Sequence, residues 1–303
     1  MSKMHLCLFC HSEGSVQKVA MPILLEMLDR VEQNTGERVN VTWAQSTAYR
    51  TNSISDVYEH GEPAFVTFGD LYHGLLEERG DEIGLHIHGL QDGKRMLPVD
   101  AFIEKDTQRL IDAGFPPPKS FAAGFFVFHP STLKILEACG YEVDSSTARG
   151  RCADSAGLIY YDYPPSEWLN VARPYRPSYE DVARAGGAKI VEVPYSGHML
   201  ELTKGPDEDL FETPDEYDYH ISERFRRRWQ ARHDFGVDVF EIFFHLHEFL
   251  GIGGGPNKAL LDGAETFLSE VGSWEDVTFP TMQHAITNWK ARAEPNKTHE
   301  GDA

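Results

Sequence analysis

Three short segments of the sequence end an apolar run with histidine side chains, and two of them add a carboxylate. These segments are His11-Ser12-Glu13, His86-Ile87-His88 and His245-Leu246-His247-Glu248. Side chains alternate between the two faces of a β-strand, so His86 and His88 are expected to share one face. Neutral imidazoles and carboxylates are ligands that zinc takes from proteins. One His-x-His pair is equally typical of a hydrogen-bonded core histidine beside a solvated one, but three such segments together favour a metal site.

The elements between these segments indicate an α/β protein. Apolar strands and amphipathic helices alternate about seven times, an order that is typical of parallel strands joined by crossover helices. Residues 4–10 and 237–244 are predicted to be buried strands, and residues 16–34 have apolar positions at helical spacing. Although 303 residues are enough for two domains, α/β barrels of this length are often one domain. We therefore expect a single domain over residues 1–293 and a polar, disordered tail at residues 294–303.

The candidate residues lie at or just after the predicted ends of strands. In α/β barrels the active site is formed at the carboxyl ends of the strands. The residues placed there are Glu13, His86, His88, His198, His245, His247 and Glu248. Their convergence on one mouth of the barrel is the main argument for a functional site.

The composition argues against several kinds of partner. The formal net charge is −20 and the isoelectric point is about 5.0, which disfavours nucleic acid and anionic membrane surfaces. No stretch approaches the roughly 20 apolar residues of a membrane span. The apolar run at residues 6–10 is too short for a signal peptide. We expect a cytoplasmic protein that binds a small-molecule substrate, and a homo-oligomer remains open.

The cysteines do not predict a zinc site. The sequence contains Cys7, Cys10, Cys139 and Cys152. Cys7 and Cys10 fall on opposite faces of the first strand, and no second pair completes a tetrahedral ligand set. We expect both to be buried, unpaired thiols.

Five segments in a fixed order resemble the NodB-type polysaccharide deacetylases, or carbohydrate esterase family 4, and the chain looks like a divergent member. The segments are EIGLHIHG (82–89), SFAAGFFVFHPSTLKILEACGYEVDSST (120–147), IVEVPYSG (190–197), IFFHLHEF (242–249) and VTFPTMQHAI (277–286). The resemblance implies a distorted (β/α)7 TIM-like barrel. It also implies a divalent metal ion and hydrolysis of amide-linked acetyl groups on amino sugars.

The first two motifs of the family imply metal ligands, with departures in this sequence. The first motif supplies an aspartate general base and an aspartate ligand, and His11 and Glu13 stand at those places. The second supplies two histidines four residues apart, of which His86 matches the first and Leu90 replaces the second. We expect His88 to substitute, so that Glu13, His86 and His88 hold the ion.

The remaining motifs imply the groups that move protons. The third motif of the family carries an arginine that orients the aspartate base, and Ala122 stands there. The two departures agree with each other, because that arginine has no use when the base is His11. The last motif supplies a histidine general acid, which His245 matches.

The sequence therefore predicts a metal-dependent hydrolase that cleaves a C–N (amide) bond of a small or modified substrate with metal-activated water. Zinc is the first choice of ion, and Mn, Fe, Ni and Co are alternatives. His11 would take the proton from water or act as a fourth ligand, and His245 would protonate the leaving amine. An alternative is a barrel that has lost deacetylase chemistry and binds a ligand or catalyses a lyase or isomerase step.

A second set of residues is expected to orient the histidines or to contact the substrate. Its members are Asp144, His198, His247, Glu248, Tyr161 and Trp168. Asp144 and Glu248 are candidates to hydrogen-bond the histidines. Tyr161 and Trp168 belong to an aromatic loop that would either stack on a sugar or aryl group or form a hydrophobic plug.

Overall fold

Parallel strands and helices alternate along the chain. The computed structural model describes residues 3–13, 16–46, 64–87, 91–92, 95–96, 100–124, 131–146, 173–180, 182, 185–203 and 221–293. The strands are β1 (Met4–Ser12), β2 (Val41–Ser46), β3 (Glu82–Ile87), β4 (Gln91–Asp92), β5 (Arg95–Met96), β6 (Ser120–Ala123), β7 (Val143–Asp144), β8 (Val191–Glu192), β9 (Gly197–His198), β10 (Val239–His245) and β11 (Val277–Thr278). The α-helices are α1 (Gln17–Thr35), α2 (Ala64–Thr67), α3 (Gly69–Gly74), α4 (Asp100–Asp112), α5 (Thr132–Ala138), α6 (Ile221–Asp234), α7 (Lys258–Gly272) and α8 (Met282–Ala293). Shorter helical segments are Leu75–Arg79, Met199–Leu202 and Leu246–Phe249. None of the described helices is both long and apolar enough to cross a membrane.

The strands form one curved parallel sheet with β1 near its centre. The strand order is β8-β7-β6-β3-β2-β1-β10-β9, and β11 also pairs with β1. The pairs within this sheet are parallel, whereas β4 and β5 form a separate antiparallel pair. The predicted α/β fold, a distorted TIM-like barrel, is confirmed. The predicted tail at residues 294–303 lies outside the described residues.

Strand β1 separates the two hydrophobic clusters of the protein. Leu8 and Cys10 belong to the larger cluster, between the sheet and the helices that cover it. Cys7 and Phe9 point to the other side and belong to a smaller cluster, the barrel interior. Both thiols are free and buried, so that prediction is confirmed, and burial raises the pKa of each. Since side chains alternate, His11 continues the inner row of β1 toward the carboxyl end of the sheet.

Helix α8 closes the other end of the barrel. Its residues Met282, Ala285 and Ile286 pack in the barrel interior. The start of the helix is held by Glu82 at the beginning of β3, whose Oε2 accepts the backbone N–H of Gln283 at 3.0 Å. A carboxylate at this position interacts favourably with the positive end of the helix dipole. The end of the barrel opposite the predicted site is thus sealed by α8, the last of the described helices.

A buried acid, Glu241, lies inside the barrel at the level of Cys7 on β1. Its Oε2 accepts a hydrogen bond of 2.6 Å from Ser145 Oγ. Burial is the main reason why the pKa of Glu241 rises to about 8, and the charge of Glu192 adds to the rise. A carboxyl whose pKa is higher in the folded than in the unfolded state favours folding while it is protonated. Its contribution therefore falls as the pH rises from the ordinary pKa of 4.5 to about 8.

Replacing Glu241 with glutamine should remove this pH dependence. Glutamine keeps the size of the side chain but cannot ionise, so the variant should gain stability relative to wild type as the pH rises through that window. The gain should reach up to about 1.4 kcal/mol per pH unit. Denaturant unfolding of both proteins at several pH values measures it. Two pH profiles that run parallel would contradict the prediction.

Candidate metal centre

The inner part of the candidate site consists of three side chains at the carboxyl ends of β1 and β3. The His11 and His86 rings are stacked, with centroids 4.1 Å apart and planes at 23°. His86 Nε2 lies 2.7 Å from Glu13 Oε1. His86 is 1% exposed and Glu13 is 4% exposed. The parallel pairing of β1, β2 and β3 brings together residues that lie far apart in the sequence.

The hydrogen bonds of His86 hold its ring in an orientation that suits a metal ligand. Its Nδ1 lies 3.0 Å from the backbone oxygen of Ala122. A carbonyl oxygen can only accept, so Nδ1 carries the proton of the neutral ring. Nε2 then presents a lone pair to Glu13 Oε1, which is also an acceptor when ionised. A separation of 2.7 Å is a hydrogen-bond distance, so a proton lies between Nε2 and Oε1. An Nδ1–H bonded to a backbone carbonyl is common in metal-binding histidines, and a metal ion that displaces the shared proton would meet both a nitrogen and an oxygen ligand.

His245 adds a further nitrogen on the side of β10. Its Nε2 lies 3.9 Å from Glu13 Oε1, and its ring meets that of His11 edge-on at 5.3 Å. Its Nδ1 lies 2.8 Å from Glu248 Oε1. Burial opposes protonation of His245, but its hydrogen bond with Glu248 and the charge of that carboxylate prevail, so the pKa of His245 rises above its usual value.

Glu248 is held between two histidines. His198 Nε2 lies 2.7 Å from the same oxygen, Oε1, and Oε2 accepts the backbone N–H of His245 at 3.1 Å. Burial alone would raise the pKa of Glu248, but His198 and His245 outweigh burial and lower it to about 2. Glu248 is therefore an ionised acceptor for both rings.

Among the described residues, two groups of side chains bring possible ligand atoms within 4.8 Å of one another, and both contain His245. One group adds His11 and Glu13, and the other adds His198 and Glu248. In the second group an N–H of each histidine satisfies the carboxylate, so no cation is needed. In the first group Glu13 also shares a proton with His86, at 2.7 Å, and a divalent ion can displace that proton. The nitrogen and oxygen donors around Glu13 therefore fit a divalent ion such as zinc.

The structure places the other predicted residues as follows. His247 is an exposed residue, and its ring centroid lies 5.3 Å from that of His245. The part of the ring that is buried loses contact with water, which lowers the pKa of His247. Asp144 lies with Ser146 and Glu192, on the opposite face of β7 from the interior residue Val143.

Asp144 is thus part of a buried acidic pair. Burial is the main cause that raises the pKa of Asp144, and the charge of Glu192 is the next. Its described hydrogen bond is with the Ser146 hydroxyl, so its expected contact with a site histidine is not among the described hydrogen bonds. His88, Tyr161 and Trp168 lie outside the described residues.

Phe243 is part of the site but is not one of the predicted residues. Its ring lies 5.1 Å from that of His11 and 4.8 Å from that of Tyr195. The His198 ring stacks on it, with centroids 4.2 Å apart and planes at 8°. The alternation along β10 could have identified Phe243, since it precedes His245 by two positions and therefore points to the same face.

Comparisons with known proteins support the fold. No protein-family model and no curated protein sequence matches the chain. The structure of Puue allantoinase has a TM-score of 0.53 at 13% identity, and the match covers 95% of this chain and 90% of that one. A structure from Mycobacterium smegmatis described as a polysaccharide deacetylase has a TM-score of 0.51 at 14% identity, over 97% and 92% of the two chains.

A third match extends the comparison to a larger protein. The 4-alpha-glucanotransferase from Thermococcus litoralis has a TM-score of 0.51 at 15% identity and is matched by 95% of this chain. The match spans only 40% of the glucanotransferase, so this chain is similar to less than half of that protein. The chain therefore has the barrel fold that is found in polysaccharide deacetylase and allantoinase structures.

Proposed function

We propose that the protein is a metal-dependent hydrolase that cleaves the C–N bond of an amide in a small or modified substrate. The observation that carries this proposal is the convergence of His11, His86 and His245 on the buried carboxylate of Glu13, whose Oε1 lies 2.7 Å from His86 Nε2 and 3.9 Å from His245 Nε2. The chain shares its fold with structures described as a polysaccharide deacetylase and an allantoinase, which supports a hydrolase.

The proposed ligands are Glu13 and His86, together with His88 as predicted from the sequence. When bound, a divalent cation, with zinc as first choice, supplies Lewis-acid polarisation of the carbonyl and makes water more acidic. Glu13 contributes the negative charge of the ligand set. The Ala122 carbonyl fixes the ring of His86 so that Nε2 faces Glu13.

Two histidines are proposed to move the protons. His11 would accept a proton from water, since it lies against His86 at the inner wall of the site. His245 would donate a proton to the leaving nitrogen. Glu248 raises the pKa of His245, which keeps the ring protonated closer to neutral pH, as a general acid requires. The Nδ1 contact with Glu248 leaves Nε2 as the nitrogen that faces Glu13.

Metal analysis of the purified protein tests the proposal. We expect wild type to hold a divalent ion in stoichiometric amount and His86→Ala to lose it. His11→Ala should retain the ion but lose activity if His11 is the base, and should lose the ion if His11 is a ligand. A metal-free wild type whose His86→Ala variant behaves identically would contradict the proposal and support a barrel that only binds a ligand.

An assay of acetate release tests the expected substrate class. We expect little release from chitin oligomers and peptidoglycan fragments when metal is supplied, because the aspartate base and the arginine of the family are replaced by His11 and Ala122. Small amides should be the better substrates. Turnover of the polymers at about one to a thousand per second, the usual range of enzymes, would contradict this expectation and indicate an ordinary polysaccharide deacetylase.

A further inference from the structure

Strands β9 and β10 end in the same kind of turn. Each strand ends at a histidine and continues into a 3-10 helix with a glutamate three positions later, which pairs His198 with Glu201 and His245 with Glu248. Each glutamate accepts the backbone N–H of its own histidine, at 2.8 Å in the first turn and 3.1 Å in the second. Because the strands are parallel neighbours, the two turns lie side by side at the mouth of the barrel.

The two turns differ in the partners of the remaining carboxylate oxygen. Glu201 Oε2 accepts a hydrogen bond of 2.6 Å from Arg228 on α6. Glu248 Oε1 lies 2.7 Å from His198 Nε2 and 2.8 Å from His245 Nδ1. The histidine of the first turn therefore reaches the glutamate of the second, and one oxygen joins both rings.

Close packing and stacking fix the position of His198. A side chain at Gly197 would collide with Phe225 of α6, so β9 packs tightly on that helix. The imidazole lies parallel to the ring of Phe243, with centroids 4.2 Å apart. The hydrogen bond of His198 to Glu248 and its ring stack on Phe243 can be removed separately, and the ring also lies edge-on to that of His245, with centroids 6.2 Å apart.

We propose that His198 is a positioning residue that acts through its Nε2–H donor and not through its ring stack. This donor holds Glu248 Oε1 against His245 Nδ1, and His245 Nε2 is thereby kept facing Glu13. Hydrogen bonds to an ionised carboxylate are stronger than those between neutral groups. Without this donor, Glu248 would keep its hydrogen bonds to the backbone N–H and to Nδ1 of His245, but Oε1 would lose the second contact that fixes its position. The inference rests on the proposed role of His245 as proton donor.

Histidine side-chain NMR of the metal-free protein tests this role. The Nδ1 proton of His245, assigned by its absence in His245→Gln, should be protected from exchange with water in wild type. His198→Phe keeps an aromatic ring on Phe243 but removes the donor, so exchange should become about tenfold faster or more, the equivalent of one hydrogen bond to a charged group. His198→Gln, which supplies an amide N–H, should restore the protection.

Phe243→Leu is the control, because it removes the ring stack on His198, together with the edge contact of Phe243 with His245 at 5.7 Å, and leaves the donor of His198 in place. In this variant the Nδ1 proton of His245 should stay protected as in wild type. Circular dichroism of each variant checks that it is folded. The inference is wrong if His198→Phe keeps the protection, or if Phe243→Leu and His198→Gln lose it. No metal or substrate enters this measurement, so a wild-type protein without metal would overturn the proposed hydrolase and leave this result intact.

Discussion

Replacing Glu13 with glutamine is expected to abolish binding of the divalent ion and, with it, hydrolytic activity. Glu13 supplies the carboxylate that faces His86 Nε2 at 2.7 Å and His245 Nε2 at 3.9 Å. Substitution of residues that only support metal ligands typically costs about 10–100-fold in affinity or activity, so loss of a ligand should cost more. Isothermal titration of the metal-free protein with zinc measures the change.

The fold of the Glu13→Gln variant should be unchanged. The glutamine amide places an N–H donor opposite the lone pair of His86 Nε2, so the metal-free variant should unfold at a temperature similar to that of the metal-free wild type. Glu26→Gln is a suitable control, because the Glu26 side chain is 78% exposed and pairs only with Arg30 in the described structure. Zinc affinity in Glu13→Gln equal to that of the control would exclude Glu13 as a ligand.

Replacing Glu82 with alanine is expected to lower the free energy of unfolding by about 3–5 kcal/mol, as the loss of a buried, hydrogen-bonded carboxyl generally does. Glu82 accepts hydrogen bonds from Ser120 Oγ at 2.6 Å and from Thr42 Oγ1 at 3.0 Å. It also accepts the backbone N–H of Gln283 at the start of α8. Alanine would leave these donors without their acceptor in a buried place.

Glu82→Gln separates the loss of hydrogen bonds from the loss of charge. Its carbonyl oxygen can serve Thr42 and Gln283, and the Ser120 hydroxyl can turn to accept from the amide, so the cost should be only about 1 kcal/mol. Denaturant-induced unfolding measures the free energy of unfolding of both variants. Zinc stoichiometry should stay at the wild-type value, because Glu82 lies at the opposite end of β3 from His86. Equal stability of Glu82→Ala and wild type would contradict this account of α8.

Hydrophobic periodicity was sufficient to predict the α/β class and the strand ends at which the candidate residues lie, whereas the barrel was implied by the resemblance to a known family. The helical spacing at residues 16–34 predicted α1 (Gln17–Thr35), and the apolar run at residues 237–244 predicted β10 (Val239–His245). Parallel strands place their carboxyl ends at one edge of the sheet, so the strand-end segments were expected to meet. The contact between Glu13 and His86 follows from this rule.

The interactions within the site could not be predicted in the same way. The proton position on His86 depends on a backbone carbonyl of β6, and no side chain in the sequence reveals that partner. Asp144 was expected to contact a site histidine because it lies at the end of a strand. Neighbouring residues of a strand face opposite sides of the sheet, so a difference of one position moves a side chain to the other face. Glu241 lies within an apolar run, and sequence alone does not distinguish a buried acid from an edge residue.

The pairing of β1 has a consequence for how the chain folds. Its neighbours in the sheet are β2, which follows soon after it, and β10 and β11, which lie near the other end of the chain. The interior beside β1 is closed by α8, the last described helix. Contacts between residues so distant in sequence slow folding, because a long loop must close before they form. During synthesis on the ribosome, the barrel can close only after β10, β11 and α8 have emerged, and until then one edge of β1 has no partner strand.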